Sequence, residues 1–155
     1  MRASLRAGSP LQKERTMSHR VKLLHTAKTG TTGGRDNGAS RSSDGLLDIR
    51  LSTPGSARIG TNPEQLLAAA WSASVADMIA LAVRKRKITL PAKVRIDAEV
   101  DLNHEKSGYA LRARFNVTIP GLERSLAEEL VDEAQRICPY SKATRGNIEV
   151  TIKLI

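Results

Sequence analysis

One cysteine and three polar residues of an apolar segment are the side chains of this chain that could support covalent chemistry. Cys138 is the only cysteine and precedes a proline in the segment ICPYSKATRGN. A thiolate is a nucleophile and a redox-active group, but the commoner role of a lone cysteine is that of a small buried side chain. Ser72, Ser74 and Asp77 are the only polar residues in the otherwise apolar segment 66–83. In a buried helix such side chains more often bond back to helical carbonyls than act on a substrate.

The spacing of the remaining polar residues does not match the hydrolase, metal or phosphate motifs. Ser72 and Ser74 fall on different faces of a helix, and no Ser-His-Asp arrangement or strand-to-helix elbow surrounds either serine. The glycine-rich segment Gly30–Gly45 places Arg35 at a bend, but it lacks the Lys-Ser/Thr pair of a P-loop and does not open into a helix. The three histidines have no metal-ligand spacing: His19, His25 and His104.

Composition argues against a nucleic-acid-binding protein and for a single domain in a reducing compartment. The 155 residues carry a formal charge of +9, of which +4 lies in residues 1–20, so the rest of the chain is only mildly basic. One Trp, two Tyr and one Phe give little material for a stacking platform, so binding of nucleic acid is not expected. A single cysteine fits a reducing, cytoplasmic setting. We expect residues 1–20 to be a basic, disordered extension and residues 21–155 to form one domain.

A long apolar helix is expected to organise the fold. In the segment Thr61–Lys87, Asn62 suits the N-cap and Pro63 suits the first helical position. Between residues 66 and 83 only the two serines and the aspartate named above are polar, so no face is left for water. The acid in mid-helix and the many alanines favour a protein core over a membrane span. The sequence therefore predicts a core helix surrounded by protein.

The other elements are predicted from hydrophobic periodicity. Apolar residues alternate with charged ones over residues 94–102 and with polar ones over 111–119, which predicts a strand pair around the turn Asn103–Gly108. Apolar residues at helical spacing from Leu122 to Ile137 predict an amphipathic helix that ends at Cys138. The order predicts an α+β fold of antiparallel sheets packed on the long helix and on this second helix. Further strands are predicted over Val21–Thr29 and Leu46–Ser52, paired with each other, and over residues 148–154.

Three segments of the chain together resemble a known family. They read TNPEQLLAAAWSAS, GGRD and ICPYSKATRGN, and they are similar to segments of the organic hydroperoxide resistance proteins (Ohr) of the OsmC superfamily, over residues 21–155. The resemblance implies an OsmC-like fold, an interlaced homodimer, and thiol-dependent reduction of organic or fatty-acid hydroperoxides to alcohols. It also implies a lipoyl-type dithiol or a lipoylated protein as the external reductant, and no metal, haem or flavin.

The resemblance assigns roles to individual residues. In the family, a cysteine of the central helix attacks the peroxide, and a second cysteine in the ICPYS segment closes a disulfide on the resulting sulfenic acid. The attacking position falls on Ser74 and the resolving position on Cys138. The arginine and glutamate that activate the attacking thiol in the family fall on Arg35 and Glu64. The residues expected to line the apolar substrate pocket are Trp71, Leu67 and Met78.

Serine at the attacking position departs from the family pattern. The thiolate is the species that attacks, and a serine hydroxyl does not ionise at physiological pH or pass through a sulfenic acid. The family's peroxidase cycle is therefore expected to be impaired in this chain. Three explanations compete: an engineered Cys→Ser change, a natural paralogue that has lost the thiol, or use of Cys138 alone with an external thiol. The alternative function is a non-catalytic protein that binds a small apolar ligand in the same pocket.

Helix geometry adds an argument for a dimer. Glu64 and Ser74 are ten residues apart, which is about 15 Å along a straight helix. They meet only if the helix bends or if the glutamate comes from another subunit. An apolar helix of this length also needs more cover than a small domain supplies. We therefore expect an obligate homodimer.

Overall fold

The computed structural model describes residues 22–155, so the predicted extension 1–20 lies outside the described residues. The described part contains two three-stranded sheets, ordered β1-β2-β3 and β4-β5-β6, and three helices. The predicted α+β class is confirmed. In chain order the elements are β1 (Thr29–Thr32), β2 (Ala39–Ser42), β3 (Asp48–Arg50), α1 (Pro63–Lys85), β4 (Arg95–Glu105), β5 (Gly108–Thr118), α2 (Arg124–Ile137), α3 (Pro139–Thr144) and β6 (Glu149–Leu154).

The first sheet differs from the prediction. Residues 22–28 form no strand, and the glycine-rich segment predicted as a loop holds β1, a turn and β2 instead. The hairpin needs glycine at position 38, because a Cβ there would lie 2.8 Å from the carbonyl oxygen of Thr32 and would overlap that of Gly34. Leu23 and Leu24 are exposed, so their apolar pattern has no covering layer within the described chain. The tight turn presents Arg35 beside the start of α1.

Helix α1 begins where the sequence predicts. The side chain of Asn62 accepts a hydrogen bond from the backbone N–H of Gln65 at 2.9 Å, and Pro63 occupies the first helical turn. By length and composition alone α1 could cross a membrane, but it packs on β4 and α2. The single chain covers α1 only in part, so the prediction of a helix surrounded by protein stays a prediction that depends on the dimer. One stripe is buried, including Trp71 and Val75, whereas Ala69, Ala73 and Asp77 on the opposite side are exposed.

The second sheet carries the hydrophobic core. Strands β4 and β5 pair antiparallel over their full length, as predicted. Strand β6 pairs parallel with β5, so the prediction of wholly antiparallel sheets is wrong for this pair. The reason is the connection: α2 and α3 cross the sheet between β5 and β6 and return the chain in the same direction. The inner face of the sheet packs on α1 and α2 around Phe115 and Leu130.

A short helix follows α2 that the sequence analysis did not predict. Helix α2 ends at Ile137, in agreement with the prediction, because Pro139 cannot continue it. Proline suits the first position of a helix, however, and α3 begins at that same Pro139. Cys138 therefore lies at the junction of two helices.

Candidate functional site

Ser74 and Cys138 lie in contact, although 64 residues separate them in sequence. The Ser74 Oγ lies 3.4 Å from the Cys138 Sγ, within hydrogen-bond distance for sulfur. Ser74 comes from the middle of α1 and is half-buried, whereas Cys138 comes from the α2–α3 junction and is fully buried. The two positions that the resemblance assigns to the attacking and resolving cysteines are thus neighbours in space.

The surroundings of Cys138 favour its ionised form. Burial raises the pKa of the Cys138 thiol, but the Ser74 hydroxyl, the N–H and hydroxyl of Ser141 and the N–H of Tyr140 act in the opposite direction. These polar groups outweigh burial, and the pKa of Cys138 lies below its ordinary value. A thiol in such surroundings is more nucleophilic at neutral pH than an ordinary buried cysteine.

A second contact joins the same two parts of the chain. The indole Nε1–H of Trp71 donates a hydrogen bond to the Ser141 Oγ at 3.1 Å. Both side chains are buried, and the Trp71 ring meets Phe115 edge to face at 5.0 Å between ring centroids. Trp71, predicted to line the substrate pocket, thus lies in the core of the single chain. Sequence reasoning missed Ser141, and only the matched three-residue spacing from 71 to 74 and from 138 to 141 could have indicated it.

Arg35 and Glu64 form a bidentate ion pair. Both terminal guanidinium nitrogens of Arg35, Nη1 and Nη2, donate to the carboxylate of Glu64 at 2.6 Å. The Glu64 side chain is 14% exposed and that of Arg35 is 33% exposed, so the pair is partly shielded from solvent. The hydrogen bonds from Arg35 hold the pKa of Glu64 below its ordinary value, against a smaller opposite effect of burial. Contact between these two predicted site residues is a finding of the structure.

The Arg35–Glu64 pair predicts a pH dependence of stability. Because the pKa of Glu64 is lowered in the folded state, the pair stabilises the protein above the unfolded pKa of about 4.3 and ceases to do so as pH falls through the folded value. We expect Glu64→Gln to lower the free energy of unfolding by about 1 kcal/mol near pH 7. The difference from the unaltered chain should be smaller near pH 3 than near pH 7. Urea denaturation at both pH values measures it, and an equal loss at both would contradict the ion pair.

The two pairs occupy different places in the single chain. Arg35 and Glu64 lie on a cleft of about 560 Å³ between the N-terminal end of α1 and β4. Ser74 and Cys138 are not part of its lining, which also includes Ala68 and Leu102. The structure thus brings Ser74 to Cys138 and Arg35 to Glu64, but it does not bring one pair to the other.

The remaining candidates are placed as follows. Leu67 and Met78 are half-buried and pack against the core from α1. Ser72 donates to the carbonyl oxygen of Ala69 within its own helix, which is the structural role that the sequence analysis considered commoner. Asp77 is exposed. Among residues 22–155 no group of three or more His, Cys, Asp and Glu side chains is arranged to hold a metal ion.

Comparison with known proteins identifies the family. The OsmC-like protein family model matches residues 53–153. An organic hydroperoxide resistance protein of Xanthomonas axonopodis pv. citri is 40% identical over 142 residues, which cover 89% of this chain and 99% of that protein. The crystal structure of OhrB of Bacillus subtilis superposes with a TM-score of 0.80 at 37% identity, covering 86% of this chain and all of OhrB. The crystal structure of an organic hydroperoxide resistance protein of Legionella pneumophila superposes with the same TM-score and identity. That match covers 86% of this chain and 98% of the Legionella chain. The chain therefore belongs to the Ohr/OsmC family.

Proposed function

We propose that this protein has the organic hydroperoxide site of its relatives in a form whose two-thiol cycle is blocked at residue 74. The observation that carries the proposal is the 3.4 Å contact between Ser74 and the single thiol of the chain. It supports the residue assignment made from sequence, because the attacking and resolving groups of a disulfide-forming peroxidase have to meet. The role in oxidative-stress defence follows from the family.

The proposed chemistry explains why a hydroxyl at residue 74 blocks the cycle. In a two-thiol cycle, the first thiolate attacks one peroxide oxygen, the O–O bond breaks, and the alcohol leaves with a proton. The sulfenic acid that remains is attacked by the second thiol, which forms a disulfide and releases water. Ser74 can supply neither the thiolate nor the sulfenic acid. Cys138 then has no partner for a disulfide within the chain.

We infer that the complete site is built by two copies of the chain. The exposed stripe of α1 presents the small apolar residues Ala69 and Ala73 between the polar residues Gln65 and Asp77, and a helix whose other faces are largely apolar is normally covered by protein on most of its surface. The Arg35–Glu64 pair and the Ser74–Cys138 pair do not meet in one chain, and about 15 Å of helix separates Glu64 from Ser74. A partner subunit that supplies its own Arg35 and Glu64 would complete the site around Ser74.

The dimer is tested by mass in solution. Size-exclusion chromatography with light scattering is expected to give roughly 34 kDa, twice the chain mass of 16.8 kDa. Replacing Ala73 on the exposed stripe with Arg should shift the protein toward the monomer, because a charge would be buried in the contact. Ser125→Arg, at an exposed position of α2, introduces the same single positive charge away from the stripe and from Arg35. A stable monomer of the unaltered chain would refute the dimer.

The substrate is proposed to be an apolar hydroperoxide. Leu67 and Met78 on α1 are half-buried and suit an apolar slot, and Arg35 would orient the oxygen-rich end of the ligand. We propose a lipoyl-type dithiol, free or carried by a protein, as the reductant where turnover is possible, and the cytoplasm as the location.

A second candidate function is binding without catalysis. The complete burial of Cys138 favours it, because an attacking sulfur must reach the peroxide and this one has no exposed surface in the single chain. In that case the protein would hold a hydroperoxide, its alcohol or a similar apolar molecule in the same pocket. The use of Cys138 alone with an external thiol is the other route to turnover.

One assay separates these functions. Consumption of tert-butyl hydroperoxide is followed with dihydrolipoamide as reductant, for the unaltered chain, Ser74→Cys and Cys138→Ser. We expect turnover only with Ser74→Cys. Turnover of the unaltered chain that Cys138→Ser abolishes would establish the lone-thiol route instead. No turnover in any of the three would leave the binding function.

A further inference from the structure

Two hydrogen-bonded contacts, one buried and one partly buried, join α1 to the Cys138–Ser141 segment in matched positions. Trp71 contacts Ser141, and Ser74, one helical turn further along α1, contacts Cys138. From Trp71 to Ser74 the chain advances three residues, whereas their partners go back three residues, from Ser141 to Cys138. The two segments therefore run in opposite directions at the contact. We call the Trp71–Ser141 contact the clamp.

We propose that the clamp is a positioning device, in which Trp71 and Ser141 hold the sulfur of Cys138 opposite the side chain of residue 74. The inference deepens the proposed function, since it names residues that would set the geometry of the same pair. Neither Trp71 nor Ser141 touches the substrate in this proposal. Both act through the position of the sulfur.

The indole N–H explains why the clamp specifies one arrangement. Trp71 is 1% exposed and Ser141 is 5% exposed, and an indole N–H left without a partner at such a depth is costly. The Ser141 oxygen is the acceptor that satisfies it. If α3 slid or rotated along α1, this bond would break. The register of Cys138 against Ser74 is therefore tied to the Trp71–Ser141 bond.

The direction of the hydrogen bond also orients the Ser141 hydroxyl. Because the Ser141 oxygen accepts from Trp71, its own hydrogen is directed elsewhere, and the Cys138 sulfur is among its neighbours. The hydroxyl contributes to the lowered pKa of the thiol together with the Ser74 hydroxyl and two backbone N–H groups. Ser141 thus serves both the position of the sulfur and its ionisation.

The test measures ionisation of the thiol in the otherwise unaltered chain. Cys138 is the only cysteine, so ultraviolet absorbance of the thiolate against pH reports this sulfur alone. We expect Ser141→Ala to raise the thiol pKa by about one unit and Trp71→Phe by about half a unit. Ser141→Thr, which keeps the hydroxyl, should restore most of the shift. Ser72→Ala, which removes a hydroxyl bound only within α1, is the matched control and should leave the pKa unchanged.

A second measurement reports position directly. In a Ser74→Cys background, glutathione redox buffers give the equilibrium constant for closing the disulfide between residues 74 and 138. Trp71→Phe should lower it about tenfold, because a loosened segment reduces the effective concentration of one thiol at the other. Neither measurement needs peroxide turnover, so the clamp and the proposed function can fail separately. If Ser141→Ala and Trp71→Phe fold and change neither quantity, the clamp is refuted; Trp71→Phe keeps the test valid if Ser141→Ala does not fold.

Discussion

Replacing Ser74 with cysteine is expected to raise the rate of tert-butyl hydroperoxide reduction at least about a thousandfold over the unaltered chain, which corresponds to ~4 kcal/mol of barrier. The change replaces one atom at a position already 3.4 Å from the Cys138 sulfur. It restores a group that ionises near neutral pH and can pass through a sulfenic acid. The side chain is half-buried, so the extra volume of sulfur should be accommodated.

Thiol counting gives the stoichiometry of this variant. One equivalent of peroxide should remove both free thiols, because the sulfenic acid at residue 74 closes onto Cys138 and releases water. Dihydrolipoamide should then return both thiols. In the double variant Ser74→Cys, Cys138→Ser the first thiol should still be consumed, but no internal disulfide should form.

A matched control comes from the same helix. Ser72→Cys places a thiol two residues earlier on α1, where the serine contacts the Ala69 carbonyl rather than Cys138. It should leave hydroperoxide consumption close to that of the unaltered chain. Equal rates for Ser72→Cys and Ser74→Cys would show that any added thiol suffices, and the site assignment would then be wrong.

Truncation of Trp71 is expected to cause a large loss of stability. Trp71→Ala removes a fully buried ring that packs on Phe115, so we expect the free energy of unfolding to fall by about 3–5 kcal/mol. Trp71→Phe keeps most of the apolar contact and loses the bond to Ser141, which should cost about 1 kcal/mol.

Denaturation by urea, followed by circular dichroism, measures these losses. Fluorescence does not serve, because Trp71 is the only tryptophan. All variants are compared at one protein concentration, since association would add to the apparent stability. Tyr109→Ala is the control, because Tyr109 is 77% exposed and its loss should change stability by less than about 0.5 kcal/mol. A loss below about 1 kcal/mol for Trp71→Ala would contradict its role in the core.

The elements set by local chemistry were predictable from the sequence. The start of α1 follows from Asn62 and Pro63, the β4–β5 pair from strict alternation, and the end of α2 from Pro139. Each of these rests on a signal within a few residues. The parallel pairing of β6 rests on how the chain crosses the sheet, and no alternation pattern distinguishes parallel from antiparallel neighbours in a strand with one covered face.

The wrong strand in the first sheet and the exposed stripe of α1 have a common physical origin. The pattern of Leu23 and Leu24 indicates buried apolar side chains, and so does the apolar surface of α1, yet a single chain leaves both partly exposed. Periodicity reports that a surface is apolar; it does not report which molecule covers it. In the candidate site, the family resemblance predicts that Ser74 and Cys138 lie close together. The contact of Ser141 with Trp71 was not predictable, because it depends on packing between segments 70 residues apart.

The complete burial of the only thiol offers a way to measure motions of the protein. A maleimide reagent can reach Cys138 only when the α2–α3 junction separates from α1, so the labelling rate in native conditions counts such openings. Labelling kinetics with and without a bound hydroperoxide analogue would report whether ligand binding closes or loosens that junction.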